Sequence, residues 1–385
     1  MENIPYSKQS IDTADIESVV EALHARLITQ GPKTAEFEDA FAEYCGAKYA
    51  VAVSNGTAAL ILANKALGIQ SGDHVITTPN TFVATANSIA LNNGIPHLVD
   101  IDPDDLNISV DQVKTALGSG QKYAGIIPVH FAGAQVDMET IQVLAKEYGL
   151  YVIEDACHAL GGKWIDKTGL VRRVGDCSHS DLTVFSFHPV KQITTGEGGM
   201  ITTNDRKLYT SLLSLRTHGI AKPQETAISL AQPWLYEMNT LSANYRITDF
   251  QSALGLSQLA KSDHWIQRRS YLVARYDKYL KDISFLKPQK HTAAGESSYH
   301  LYIIQAQDRD ALYHYLHEHD ILVQVHYIPV HFHPYYQEEY GFSEGDYPVC
   351  EEYFSKALSL PLFPGLSDDE QDHVVETIRD FYDQY

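Results

Sequence analysis

Cysteine is scarce: four in 385 residues, Cys45, Cys157, Cys177 and Cys350, far apart and without a CxxC pair. That spacing supports neither a disulfide framework nor a zinc knuckle, and the thiols read as reduced. No run of 18 apolar residues occurs, and MENIPYSKQS at the start has no basic stretch followed by an apolar one. Neither a membrane-spanning helix nor a secretory leader is therefore expected, and the cytoplasm is the expected location. Basic residues are also few, 29 Lys and Arg against 49 Asp and Glu, for a formal net charge of -20. Nucleic acid is disfavoured as a partner, because phosphate backbones are held mainly by Lys and Arg with release of counterions. A small phosphorylated ligand stays open, since a few N–H groups at a helix start outweigh the mean field at contact distance. No GxGxxG follows a predicted strand, which disfavours a nicotinamide-dependent enzyme. Internal repeats and low-complexity segments are missing as well.

What is present is an ordinary globular composition, 44% hydrophobic and 20% charged, in a chain longer than one hydrophobic core usually grows. Two unequal domains are expected: residues 1–250 as a large α/β domain, and 251–385 as a linking helix with a small α+β domain. Short β-rich runs alternate with helix-like stretches at 49–55, 74–79, 96–101, 124–130, 151–156, 182–187 and 199–203. This is the pattern of a seven-stranded, mostly parallel sheet covered by helices. From Thr248, a plausible N-cap with Asp249 in the first turn, a long helical stretch runs to Leu280. Beyond it YHLYIIQ and ILVQVHY read as strands, DALYHYLHEH and DDEQDHVVETIRDFYDQY as helices.

Four segments carry chemistry. FSFHPVKQITTGEGGM (185–200) sets Lys191 in a turn beyond a buried strand, with a Gly-rich return to the next strand. Ligands of open α/β sheets sit outside the carboxyl ends of strands, so a reactive lysine belongs there; taken alone, a loop lysine reads as a solvated residue. SNGTAAL (54–60) closes a strand and opens an apolar helix, aiming the N–H groups of Gly56, Thr57 and Ala58 outward, where a phosphate monoester fits. The alternative is an ordinary turn that needs glycine for its dihedrals. IEDACHALGG (153–162) brings two acids from a strand end, and because adjacent residues face opposite ways only one enters the crevice; we assign Asp155. A carboxylate about 4 Å from a pyridinium nitrogen, at an effective dielectric near 20, contributes on the order of 4 kcal/mol, roughly three pKa units. A helix-capping aspartate is the alternative. TPNTFVATAN (78–87) starts a helix and puts Phe82 in its first turn, able to stack on a ring or simply to fill the core.

Taken in order, FEDAFAEYCGAKYAVAVSNGTAAL, TTPNTFVATAN, PVHFAG, IEDACHALGG, FSFHPVKQITTGEGGM, RTHGI, NYRITDFQSALGLSQL, VHYIPVH and SLPLFP resemble the DegT/DnrJ/EryC1/StrS family. These are fold type I sugar aminotransferases dependent on pyridoxal 5'-phosphate (PLP), and the likeness covers essentially the whole chain. It implies that Lys191 forms the imine with PLP and that Asp155 partners the ring nitrogen. It further implies that Phe82 stacks on the ring, and that Gly56, Thr57 and Ser186 hold the phosphate. Asn244 matches an asparagine that reaches this phosphate from the neighbouring subunit, so a homodimer with shared sites is expected. LSAN precedes it where many relatives have Gly-Tyr, which implies a different local path for that loop. His158 stands where members that aminate C4 often carry His. Tyr6, Thr29, Gln30, Gly31, His326, Tyr327 and Pro329 match positions facing the sugar nucleotide.

Within the family, LITQG, FVATAN, the FSFHPVK and ITTGEGGM pairing, QSALGLSQL and ILVQVHY are most similar to members acting in pseudaminic acid biosynthesis. That implies transfer of an amino group from L-glutamate to C4 of a UDP-linked 4-keto-6-deoxy-N-acetyl sugar, giving UDP-4-amino-4,6-dideoxy-N-acetyl-β-L-altrosamine. The alternatives are another nucleotide keto sugar, C3 or C4 and UDP or dTDP, or a catalytically silent PLP-binding protein. A dehydratase of the same fold is disfavoured because those relatives have histidine where this chain has Lys191. A metal site at His326, His331 and His333 is disfavoured because no carboxylate falls at ligand spacing.

Overall fold

All seven strands expected in the first 203 residues occur, hydrogen-bonded into one sheet. The computed structural model describes residues 3–221, 232, 234–290 and 295–383. Across the sheet the strands lie in the order Tyr49–Val53, Gly199–Thr203, Leu182–Ser186, Tyr151–Asp155, Gly125–Ile126, His74–Thr77 and Ile95–Leu98. Every neighbouring pair is parallel except those made by Gly199–Thr203, which runs antiparallel to both its neighbours. The exception follows from the connection: residues 187–198 return directly, whereas parallel neighbours need a crossover, usually a helix.

Because helices cover both faces, the strands alternate between two cores rather than between core and water. Val51, Val53, Ile153, Leu182, Val184 and Ile201 enter one cluster with the helix Gly56–Ala66. Ala50, Ala52, Phe185 and Met200 enter the other with Phe37, Phe41 and Trp265. Burying each large apolar side chain stabilises the fold by roughly 1.5–3 kcal/mol. This double burial makes the sheet a rigid platform for whatever its carboxyl ends carry.

Three elements differ from expectation. The strand expected over 124–130 is only Gly125–Ile126: Pro128 has no N–H to donate, and its carbonyl accepts from Asp155 N at 2.9 Å. The long helix is two, Asp249–Leu259 and Ser262–Leu280. The first is capped by Thr248 in a capping box with Gln251. The break falls where Lys261 turns its ammonium to Asp12 and Asp15, at 2.7 and 2.8 Å. ILVQVHY is strand only at Ile321–Leu322, whose parallel partner is Ile4–Pro5. So short a partner, ending in a residue without an N–H, releases the chain after two residues, and it continues to His326 and Tyr327.

The rest of the C-terminal third packs the antiparallel strands Leu286–Pro288, Tyr302–Ala306 and Ala357–Leu360 against helices Arg309–Glu318 and Asp368–Tyr382. The last two residues expected in the final helix lie outside the described ones. A small sheet of Lys163–Ile165, Val171–Arg173 and Gly295–Glu296 was not anticipated; its short polar strands give no apolar alternation to read. Among the described residues no helix is long and apolar enough to cross a membrane.

Candidate active site

At the carboxyl ends of the parallel strands lies a cavity of about 440 Å³ lined by Tyr6, Gly56, Thr57, Phe82, Asp155, His158, Ser186, Lys191, His326 and Tyr327, among others. Its floor is the junction between Tyr49–Val53 and the helix Gly56–Ala66. Asn55 caps that helix by accepting from Ala58 N at 2.8 Å. The Ala58 N–H, expected from the sequence to face outward, is thereby used. Those of Gly56 and Thr57 have no hydrogen-bond partner among the described residues and stand at the positive end of the helix. Gly56 is required by close approach: a Cβ there would lie 2.8 Å from Ser186 Cβ and 3.3 Å from Cys157 Sγ. Gly199 serves the same junction, since its Cβ would lie 2.6 Å from the Asn55 carbonyl. Two free N–H groups and the Ser186 hydroxyl therefore line one small concavity suited to a phosphate.

The strand Tyr151–Asp155 delivers its two acids to opposite faces. Glu154 turns away from the cavity and accepts from Ser180 Oγ and, at 3.1 Å, from Thr183 Oγ1, and it pairs with His130 Nε2 at 2.9 Å. Burial pushes its carboxyl up, but those hydrogen bonds and the His130 charge outweigh burial and hold it below the ordinary glutamate value. Asp155 lines the cavity. Its Oδ2 accepts from Thr85 Oγ1 at 2.7 Å and its Oδ1 from Cys157 N at 3.2 Å.

Lys191 sits in a turn closed by its own N–H to His188 O at 2.9 Å. The next residue, Gln192, anchors that turn: its amide donates to the His158 carbonyl and to Ser298 Oγ, the latter at 2.9 Å. Burial lowers the Lys191 pKa against the opposing charge of Asp155, which favours the neutral, nucleophilic amine.

Three imidazoles close one side. The Ala132 N–H donates to His158 Nδ1 at 3.3 Å, so the ring proton is on Nε2, which is 3.0 Å from Tyr327 Oη. The His300 ring lies 4.4 Å from that of His158, and His326 Nδ1 meets Ser359 Oγ at 2.8 Å. Burial, reinforced by the charge of Lys191, drives His158 and His300 well below the ordinary histidine value and His326 to about 3. All three are neutral. Phe82, just ahead of the helix Ala84–Ala90 rather than inside it, remains 56% exposed, its ring 5.9 Å from that of Tyr327.

Thr29, Gln30, Gly31, Asn244 and Pro329 are not among the residues lining this cavity. Thr29 bridges to Thr248, and Gly31 N donates to Asp249 Oδ1 at 2.8 Å. Gln30 and Gly31 line a separate cavity of about 220 Å³ with Arg216 and Arg246, while Asn244 pairs with Thr217 and is exposed. Pro329 is buried beside Val330, whose N–H donates to Pro79 O at 3.0 Å. Thr81, Thr85, Cys157 and His300 line the cavity but were not singled out from the sequence. The i, i+4 spacing of the two threonines was the available signal for that pair. Among the described residues no group of three potential metal ligands converges; His331 pairs with Glu351 at 2.9 Å.

The sequence pattern of the DegT/DnrJ/EryC1/StrS aminotransferase family matches residues 9–379. The spore coat polysaccharide biosynthesis protein SpsC of Bacillus subtilis is 39% identical, with 98% of this chain and 96% of that protein covered. The UDP-4-amino-4,6-dideoxy-N-acetyl-beta-L-altrosamine transaminase of Campylobacter jejuni is 37% identical, with 93% and 92% covered. Among solved structures, Helicobacter pylori PseC, an aminotransferase involved in pseudaminic acid biosynthesis, superposes with a TM-score of 0.91 at 30% identity, covering 100% of both chains. The PLP form of Spr1654 from Streptococcus pneumoniae, a sugar aminotransferase by its description, superposes with a TM-score of 0.89 at 30% identity, covering 99% of both.

Proposed function

The chain belongs to the DegT/DnrJ/EryC1/StrS aminotransferase family, and from that membership we propose that it is a PLP-dependent enzyme that aminates C4 of a UDP-linked 4-keto-6-deoxy-N-acetyl sugar at the expense of L-glutamate. The observation that carries the reading is one cavity holding a half-buried lysine, a carboxylate with lone pairs to spare, and two N–H groups at a helix start that are free among the described residues. These fit PLP as a set. Gly56, Thr57 and Ser186 would hold its phosphate, Asp155 its ring nitrogen and Lys191 its aldehyde carbon, with Phe82 and Tyr327 offering aromatic faces. A side chain at Gly56 would fill the phosphate cradle. A neighbour in its PLP form supports the choice of cofactor.

When bound, PLP supplies a carbonyl that captures amines and a protonated ring that draws in the electron pair released at the amine-bearing carbon. Asp155 keeps the ring proton in place. Lys191, once displaced by glutamate, takes the proton from glutamate Cα on its Nζ; an amine whose pKa burial lowers is suited to that. In the second half-reaction Lys191 returns a proton to the corresponding carbon of the sugar. The neutral imidazoles of His158, His300 and His326 offer polar contacts without a charge that would compete for the carboxylate. We assign Tyr6, His326 and Tyr327, which line the cavity, to the sugar nucleotide. Asn244, exposed and away from the cavity of its own chain, is assigned to the phosphate of a partner subunit, which makes the unit a homodimer, and Thr29, Gln30 and Gly31 are assigned to the sugar nucleotide.

The choice of acceptor rests on the 37% identical transaminase and on His158. Incubating the protein with PLP, L-glutamate and a panel of nucleotide keto sugars, with product mass and NMR, tests it. The expected product is UDP-4-amino-4,6-dideoxy-N-acetyl-β-L-altrosamine. Amination at C3, or of a dTDP sugar alone, replaces the acceptor while keeping the chemistry. Borohydride reduction and peptide mapping should place a pyridoxyl group on Lys191; a label elsewhere rejects the site.

A further inference from the structure

The carboxylate of Asp155 does not stand alone. Thr85 Oγ1 lies 2.7 Å from Asp155 Oδ2, and Thr81 Oγ1 lies 2.7 Å from Thr85 Oγ1. Thr81 and Thr85 are 2% and 1% exposed, so bulk water does not substitute for either partner. Each hydroxyl has one hydrogen to give. With Asp155 ionised, Thr85 must donate to it, because a carboxylate only accepts; Thr81 must then donate to Thr85. The weaker contact from Thr85 to the Phe82 carbonyl, at 3.3 Å, competes for the same hydrogen and loses to the charge. The order runs one way, Thr81 to Thr85 to Asp155, and reverses only if Asp155 takes up a proton.

Geometry gives the pair a second effect. Asp155 Oδ1 is held by the Cys157 N–H at 3.2 Å, so the two oxygens are fixed from opposite sides. What remains of their acceptor capacity is directed by that clamp, and the cavity is where it is left open.

Resting on the PLP reading above, we infer that Thr85, backed by Thr81, is a positioning residue that holds the Asp155 carboxylate in the rotamer that meets the ring nitrogen. It acts through Asp155 and touches neither substrate nor reacting atoms. A second donor into an aligned acceptor strengthens the first, so the pair is coupled rather than additive.

Thr85→Val keeps the shape and removes the donor; Thr85→Ser keeps the donor. In the Val variant we expect the rate of the glutamate half-reaction, followed by single-turnover absorbance, to fall roughly ten- to a hundredfold, the scale of one hydrogen bond to a charged group. Equilibrium binding of PLP to the apo protein should weaken, and the pH titration of the bound cofactor's visible band should shift toward loss of the ring proton at lower pH. The Ser variant should recover wild-type values within about threefold, and Thr81→Val should fall between. Loss of rate in Val and Ser alike, with an unmoved titration, would reduce Thr85 to packing and overturn the inference. So would a Val variant with wild-type titration and affinity. A wild-type protein that takes up no PLP overturns the parent reading instead, and this one with it.

Discussion

Glu154 and Asp155 are neighbours on one strand, both carboxylates, 1% and 4% exposed, yet they belong to regions of opposite character. On the Glu154 side the acid is enclosed by His130, Ser180 and Thr183. On the Asp155 side the described residues give one hydrogen-bond donor to each oxygen, with the Cys157 thiol alongside, and the carboxylate still lines the open cavity. The same incompleteness recurs around the cavity, in the free N–H groups of Gly56 and Thr57. Buried polar groups are ordinarily satisfied within the protein, so a cluster of them with capacity left over marks where a ligand completes the set. Burial and charge alone do not separate the two acids; unused valence does.

The sharpest test of that contrast is Lys191→Ala, which removes the group argued to move the proton. Turnover with glutamate should drop on the order of 10⁴-fold while the thermal midpoint of the apo protein stays put, as measured by calorimetry. Asp155→Asn comes next. It is nearly isosteric, can still accept from Thr85, and loses only the charge, so a fall of about 10²- to 10³-fold in the half-reaction is expected from the interaction estimated above, with the fold intact by circular dichroism. An Asn variant at wild-type rate would remove the electron-sink role.

Glu154→Gln should do the reverse. Activity per folded molecule should stay within about twofold, while urea unfolding shows a loss of about 2 to 3 kcal/mol, because a buried amide cannot satisfy His130, Ser180 and Thr183 together. Since the folded Glu154 carboxyl is held below its ordinary value, its contribution is present above the unfolded pKa and is lost as pH falls through the folded one. A large activity loss with unchanged stability would dissolve the distinction between the two sides.

The histidines supply a pH effect of the same sign nearer neutrality. His158, His300 and His326 are all depressed, chiefly by burial. Below about pH 6.5 the unfolded chain therefore binds protons that the folded one refuses. Stability of the apo protein should decline from there, at up to about 1.4 kcal/mol per pH unit for each imidazole. His300→Phe should flatten the slope, and urea melts from pH 7 to pH 5 would show it.

How much of this was legible in the sequence depended on the kind of signal. Strands buried on both faces announce themselves by composition, and period-two alternation said that only one of Glu154 and Asp155 could face the crevice, without saying which. The helix start at Gly56 was legible too, but not that Asn55 would consume the Ala58 N–H, since Asn in SNG reads as a turn residue as readily as a cap. ILVQVHY misled because strand propensity says nothing about whether an edge partner exists, and Ile4–Pro5 offers only two residues. Thr81, Thr85 and His300 escaped notice for a different reason. A threonine or histidine in an apolar stretch gains its role from a partner far along the chain, and Thr85 meets Asp155 across 70 residues. Spacing within a segment cannot reveal such a meeting.

The smallest effect expected is at Tyr327, and it asks whether unused valence extends to donors. The Ala132 N–H already occupies His158 Nδ1, so Nε2 carries the hydrogen and gives it to Tyr327 Oη. Tyr327 accepts there, and its own hydrogen is free to turn into the cavity that the residue lines. Burial pushes the phenol pKa upward, so it remains a neutral donor at working pH. Tyr327→Phe removes that donor and strands the His158 N–H, yet keeps the aromatic face beside Phe82. A loss of about tenfold in kcat/KM for the sugar nucleotide is expected from one such hydrogen bond, with the glutamate half-reaction much less affected. If both half-reactions fell equally, the hydroxyl would be serving the cofactor or His158 rather than the sugar, and the donor side of the comparison would have to be redrawn around the imidazoles.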